Sequence, residues 1–175
     1  MKKIFLVFTI ILCSFHFSYA AEITDAKILQ YAKEFASKFL AMEKNFKYET
    51  LDCSQLYYYS NNMTKCFMFS EDGTNYKQLY TAKNFNDLFP TLDKLYFQDL
   101  PSLKKIPEKT MVYSNPQDSK LYKAVFLYID NILFVGTVFD NKGFLGPVSI
   151  LRKNKDGVIE MMIPSMDITP SRFEN

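Results

Sequence analysis

Residues 121–163 read LYKAVFLYIDNILFVGTVFDNKGFLGPVSILRKNKDGVIEMMI. Strand-like runs over Tyr122 to Ile129, Ile132 to Phe139, Pro147 to Leu151 and Val158 to Ile163 alternate with clusters of turn formers. The turns are Asp130-Asn131, Asp140-Asn141-Lys142-Gly143 and Asn154-Lys155-Asp156-Gly157, whose residues tolerate positive φ or bond to their own backbone. Short runs joined by tight turns predict an antiparallel meander.

Working back towards the N-terminus, the pattern becomes helical. Thr24 is placed to cap a helix and Asp25 to face the positive end of its dipole. Ile28, Ala32, Phe35 and Phe39 then follow at helical spacing, widened by Leu29, Ala36 and Leu40 into one buried face, and the pattern fades near Asn45. A second helix is expected over Asn84 to Phe97, with Phe85, Leu88, Phe89, Leu92 and Tyr96 on one side and Pro90 in its first turn or breaking it.

Between the helices, Leu56 to Tyr59 and Cys66 to Phe69 flank Ser60-Asn61-Asn62 and predict a hairpin, and Glu71 to Asn75 reads as a turn. Pro101 to Pro107 reads as a connector and Ser114-Asn115-Pro116 as another turn. Helices first and strands later predict an α+β domain: a long N-terminal helix packed on a curved antiparallel sheet that ends in a β-meander. That arrangement is compatible with cystatin-like or nuclear-transport-factor-like folds, although no family motif is matched residue by residue. Such a fold alone would leave function open.

Residues 1–20 have the parts of a secretory signal: Lys2 and Lys3, an apolar run from Ile4 to about Phe17, and small residues at Ser18 and Ala20 before the expected cut. Thr9, Cys13, Ser14 and His16 interrupt the run, which argues against a membrane-spanning anchor. Cleavage is expected to leave residues 21–175 as a single α+β domain with an irregular C-terminal tail from Pro164, in the periplasm or outside the cell. No later apolar run approaches spanning length, so the mature form is expected to have no transmembrane segment.

Removing the signal changes the chemistry. The precursor carries a formal charge of +2, and Lys2 and Lys3 leave without any acid, so the mature chain is neutral. With no dense basic stripe among aromatics, a nucleic-acid partner is not expected. His16 is the chain's one histidine and lies in the signal. The mature chain therefore cannot run Ser-His-Asp or Cys-His chemistry or ligate zinc through imidazole. Cys13 is lost as well, leaving Cys53 and Cys66, whose spacing in an oxidising compartment reads as a structural disulfide and not a redox pair. Such a bridge is worth on the order of 3 kcal/mol for a loop of about 14 residues.

Catalytic motifs are sparse. Ser102-Leu103-Lys104-Lys105 matches a bare Ser-x-x-Lys pattern without its companion motifs. Asn154 to Gly157 resembles the middle of a calcium loop whose first and last ligands would be Arg152 and Ile163, neither of which can bind the ion. Asp87, Asp93, Asp99 and Asp130 could supply paired carboxylates only through folding. No cofactor or metal is expected.

The leading expectation is an exported, non-enzymatic protein-binding protein, such as an inhibitor, an immunity protein or a secretion accessory, whose partner is another protein. The alternatives are a carrier of a small ligand in an aromatic-lined pocket and a carboxylate-dependent exported hydrolase. Tyr57, Tyr59 and Phe126 are the candidate binding residues.

Overall fold

Thr24 stands at the helix start with extended backbone (φ −75°, ψ 150°), and its hydroxyl accepts the Lys27 N–H at 3.3 Å. Helix α1 follows from Asp25–Glu43 and buries Ile28, Ala32, Phe35, Ala36 and Phe39, the stripe its sequence spacing requires. The computed structural model describes residues 23–50, 64–73, 75–116, 122–139 and 144–164.

Eight strands follow: β1 (Tyr48–Thr50), β2 (Thr64–Ser70), β3 (Tyr76–Ala82), β4 (Met111–Ser114), β5 (Tyr122–Ile129), β6 (Ile132–Phe139), β7 (Phe144–Lys153) and β8 (Ile159–Pro164). They form one open antiparallel sheet in the order β1-β2-β3-β8-β7-β6-β5-β4. The C-terminal meander is present, with the turn before β6 at Asp130 (φ 50°) and the turn before β8 at Gly157 (φ 79°), where a side chain would strain the backbone. β3 closes onto β8, pairing Leu79 with Met162 and Ala82 with Ile159, so the last strand joins the meander to the earlier strands.

Several elements differ from the sequence expectations. β1, β3 and β4 were not anticipated: β1 and β4 are too short to show a period, and Lys77 and Gln78 interrupt the apolar pattern of β3. Cys66 to Phe69 does lie in a strand, but its described neighbours are β1 and β3. Leu56 to Tyr59, the expected hairpin arm, lies outside the described residues. The second helix is present in three pieces, a 3-10 turn (Phe85–Leu88), a single α-helical turn α2 (Phe89–Leu92) and a π-helical turn (Asp93–Phe97). Pro90 sits in the first turn of α2, where its missing N–H costs nothing.

Side chains alternate along each strand, and over the middle of the sheet both faces are covered. On the first face α1 lies over Val125, Leu127, Phe134, Ile150 and Met162, with the Phe35 and Phe134 rings 5.8 Å apart. On the second face Leu88, Leu92, Phe97, Leu100 and Ile106 of the crossover between β3 and β4 lie over Ala124, Phe126, Leu133, Leu151 and Met161. This double coverage explains why β5 and β6 are apolar almost without interruption. Tyr96 carries a hydroxyl into that second layer, where it accepts from Ser149 Oγ at 2.9 Å, and burial pushes its pKa up to about 12. Among the described residues no helix is long and apolar enough to cross a membrane.

Candidate functional site

The crossover does not cover the whole second face. In β2, Cys66 and Met68 point towards α1, so Phe67 and Phe69 point the other way. Phe69 pairs across the ladder with Tyr76 on one side and Glu49 on the other. The rings form a row, Phe67 to Phe69 at 6.5 Å and Phe69 to Tyr76 at 6.3 Å. All three residues lie outside both core clusters, and Tyr76 is 46 % exposed. Around the same edge, at the end of α1, Met42 and Phe46 are also exposed, and the Phe46 ring lies 5.8 Å from that of Tyr48. Apolar side chains thus flank β1, the outermost described strand, on both sides.

A buried charge cluster fixes this corner. Lys77, on the first face of β3, is 3 % exposed and lies over the rings of Tyr48 at 4.1 Å and Phe39 at 5.2 Å. Its ammonium donates to Glu43 Oε1 at 3.1 Å, while Arg152 of β7 donates to Glu43 Oε2 at 2.7 Å. Burial pushes the Glu43 carboxyl upward, but the Arg152 hydrogen bond and the two positive charges outweigh it and hold the pKa below its ordinary value. For Lys77 the balance falls the other way, because burial outweighs Glu43 and Arg152 repels, and the pKa is lowered. Burial, and then the Glu43 charge, push the Tyr48 hydroxyl up. One carboxylate therefore ties the end of α1 to β3 and β7, with the β1 ring laid over the same lysine. The exposed Lys47–Glu71 pair at the rim, 3.8 Å apart, adds little.

The residues singled out from the sequence fall elsewhere. Phe126 is completely buried, its ring 5.6 Å from that of Phe97, so it is a core residue and offers no binding surface. Tyr57, Tyr59 and Cys53 lie outside the described residues. Cys66 is 2 % exposed in the layer beneath α1. Ser102 Oγ accepts from the Tyr113 hydroxyl at 2.8 Å, and Lys105 pairs with Glu108 at 3.8 Å. The Asn154 side-chain oxygen accepts from the N–H groups of Asp156 and Val158, both at 3.0 Å, and so builds its turn. Asp87 accepts the Asn84 N–H at 3.0 Å, and Asp130 forms the turn after β5. Among the described residues no three His, Cys, Asp or Glu side chains gather where they could hold a metal ion.

The sequence reading missed the Glu43–Lys77–Arg152 cluster because its members are 34 and 109 positions apart and nothing local marks them. The aromatic row did have a signal. Phe67 and Phe69 alternate with Cys66 and Met68, which gives them a common face without saying what covers it. Compared with known proteins, the chain matches no family model, no curated protein and no solved structure.

Proposed function

We propose that the chain is exported and acts as a non-enzymatic protein-binding protein, of the inhibitor, immunity or secretion-accessory kind, which meets its partner at the β1–β3 edge. The observation that carries this reading is the aromatic row from Phe67 through Phe69 to the exposed Tyr76. Interfaces concentrate their binding energy in aromatic anchors, and Tyr supplies a large apolar area at low entropic cost. The Glu43–Lys77–Arg152 cluster supports the reading from below, because a surface held rigid before binding loses less freedom on association.

Export rests on the charged start, apolar run and small residues of positions 1–20. In an oxidising compartment a Cys53–Cys66 bridge brings the two Cα atoms to about 6 Å. The helix-on-sheet arrangement, with a curved sheet of cystatin-like or nuclear-transport-factor-like form, belongs to the same proposal.

The test is affinity capture from the native exporting cell with the tagged protein beside its Phe69→Ala/Tyr76→Ala variant. A specific protein that co-purifies with the parent and is lost from the variant is the expected result. No specific partner, or a partner retained equally by the variant, contradicts the proposal.

A further inference from the structure

A recess of about 250 Å³ opens at the far end of the second face, where β3 and β7 finish, β8 starts and the crossover begins. It is separate from the aromatic edge and shares no residue with it. Ile159 and Ile106, 2 % and 1 % exposed, contribute apolar lining. Phe85 and Tyr128 form one wall, their rings perpendicular and 6.3 Å apart. Tyr128 is fixed by its hydroxyl, which donates to Pro107 O at 2.7 Å, and by its N–H, which donates to Thr110 Oγ1 at 3.0 Å. The wall is therefore preformed.

The rim carries the charge. Ile159 pairs with Ala82 on one side and Lys153 on the other, so Lys153 and Lys83, the residue after Ala82, stand on opposite sides of β8. Both lysines line the recess and are exposed, and neither is paired with an acid among the described residues. Glu108 also lines the recess, its exposed carboxylate 3.8 Å from Lys105 in a weak surface pair. Asn86 spends its side-chain oxygen on the Ile106 N–H at 2.9 Å, leaving its NH2 donors without a partner among the described residues. Two lysines against one glutamate leave a surplus of one positive charge beside an apolar, ring-walled space.

We propose that this recess binds a small aromatic carboxylate, with its ring against Phe85 and Tyr128 over Ile159 and its carboxylate between Lys83 and Lys153. The volume falls below the roughly 300–1,000 Å³ of drug-sized pockets, which suits a single ring. The surplus of one charge suits a monoanion better than a phosphate dianion. Aromatic packing and charge-assisted hydrogen bonds act on different parts of the ligand, so both are required.

The experiment is an NMR titration of the purified protein with phenylacetate, with neutral 2-phenylethanol and inorganic phosphate as comparison probes. Phenylacetate is expected to shift the Ile106 and Ile159 methyls and the Asn86 side-chain amide saturably, with a Kd of roughly 1 mM given so few ligand atoms. The neutral analogue, and phenylacetate added to Lys83→Gln or Lys153→Gln, should each bind about tenfold more weakly, the size of a lost charged hydrogen bond. Lys38→Gln, on the exposed side of α1, should change nothing. Both rim variants replace exposed side chains, so retained folding is expected and is checked in the same spectra. Absence of saturable shifts, equal binding of the neutral analogue, shifts mapping elsewhere, or rim variants with parental affinity would each overturn the proposal. Phosphate shifting the Ile159 methyl as strongly as phenylacetate would overturn the requirement for a ring.

Discussion

Glu43 is the residue on which the aromatic corner depends. Among the described residues its carboxylate is the one acid paired with Lys77 and Arg152, and Lys77 is almost fully enclosed. Glu43→Gln leaves two cations facing each other in a low-dielectric site, and a loss of about 3 kcal/mol is expected from urea unfolding. Lys77→Met should cost much less, under about 1 kcal/mol, because burial already outweighs the lysine's ion pair and the methionine stem fills the same space between Phe39 and Tyr48. The sign with pH follows from the lowered carboxyl. A folded pKa below the unfolded value near 4.5 gives stability that is fully present above that value and lost as pH falls through the folded one. Denaturation midpoints should fall on acidification below about pH 4.5 in the parent and fall less steeply in Glu43→Gln. A pH profile unchanged by the substitution would show that Glu43 does not hold the corner.

Among the elements, β5 shows how far the sequence could be read. Tyr122 to Ile129 is apolar except for Lys123, and the run and its turn at Asp130 gave the strand bounds. The unbroken apolar run from Ala124 to Ile129 cannot say which of its faces is open, and neither is. Phe126 therefore looked available for binding and is instead packed beneath Phe97. Phe126→Ala is expected to cost about 3–5 kcal/mol through the cavity it leaves, whereas Tyr76→Ala at the exposed edge should stay within about 1 kcal/mol. Thermal unfolding of the two variants distinguishes a core residue from a surface one. β3 escaped notice for the opposite reason, since its buried Lys77 breaks the apolar pattern and is stabilised only by Glu43, far away in the chain. The pairing of β3 with β8 was not legible either, because no local signal chooses a strand partner about eighty positions away.

On the scale of the whole molecule, two layers pack on one open sheet, and on its second face the crossover core lies towards β5 while the Phe67–Phe69–Tyr76 row lies outside it towards β2. The meander, the first helix and the α+β class followed from periodicity and turn chemistry. The aromatic row that ends in the exposed Tyr76 depended on how far the crossover reaches, which only the assembled fold decides. The proposed export makes a further demand on the molecule. Purified from the exporting cell, the protein should gain mass on reduction and alkylation in the peptides holding Cys53 and Cys66, and Cys53→Ser/Cys66→Ser should lose on the order of 3 kcal/mol. Free thiols at both positions would contradict the bridge.

The most direct measurement places a photo-crosslinking amino acid at position 76 in the native cell, with parallel probes at Leu95 on the crossover and Lys38 on α1. A discrete adduct with one protein is expected from position 76 and not from 95 or 38. Adducts from 95 or 38 but not from 76, equal labelling from all three positions, or no adduct from any, would contradict a protein-binding edge at β1–β3.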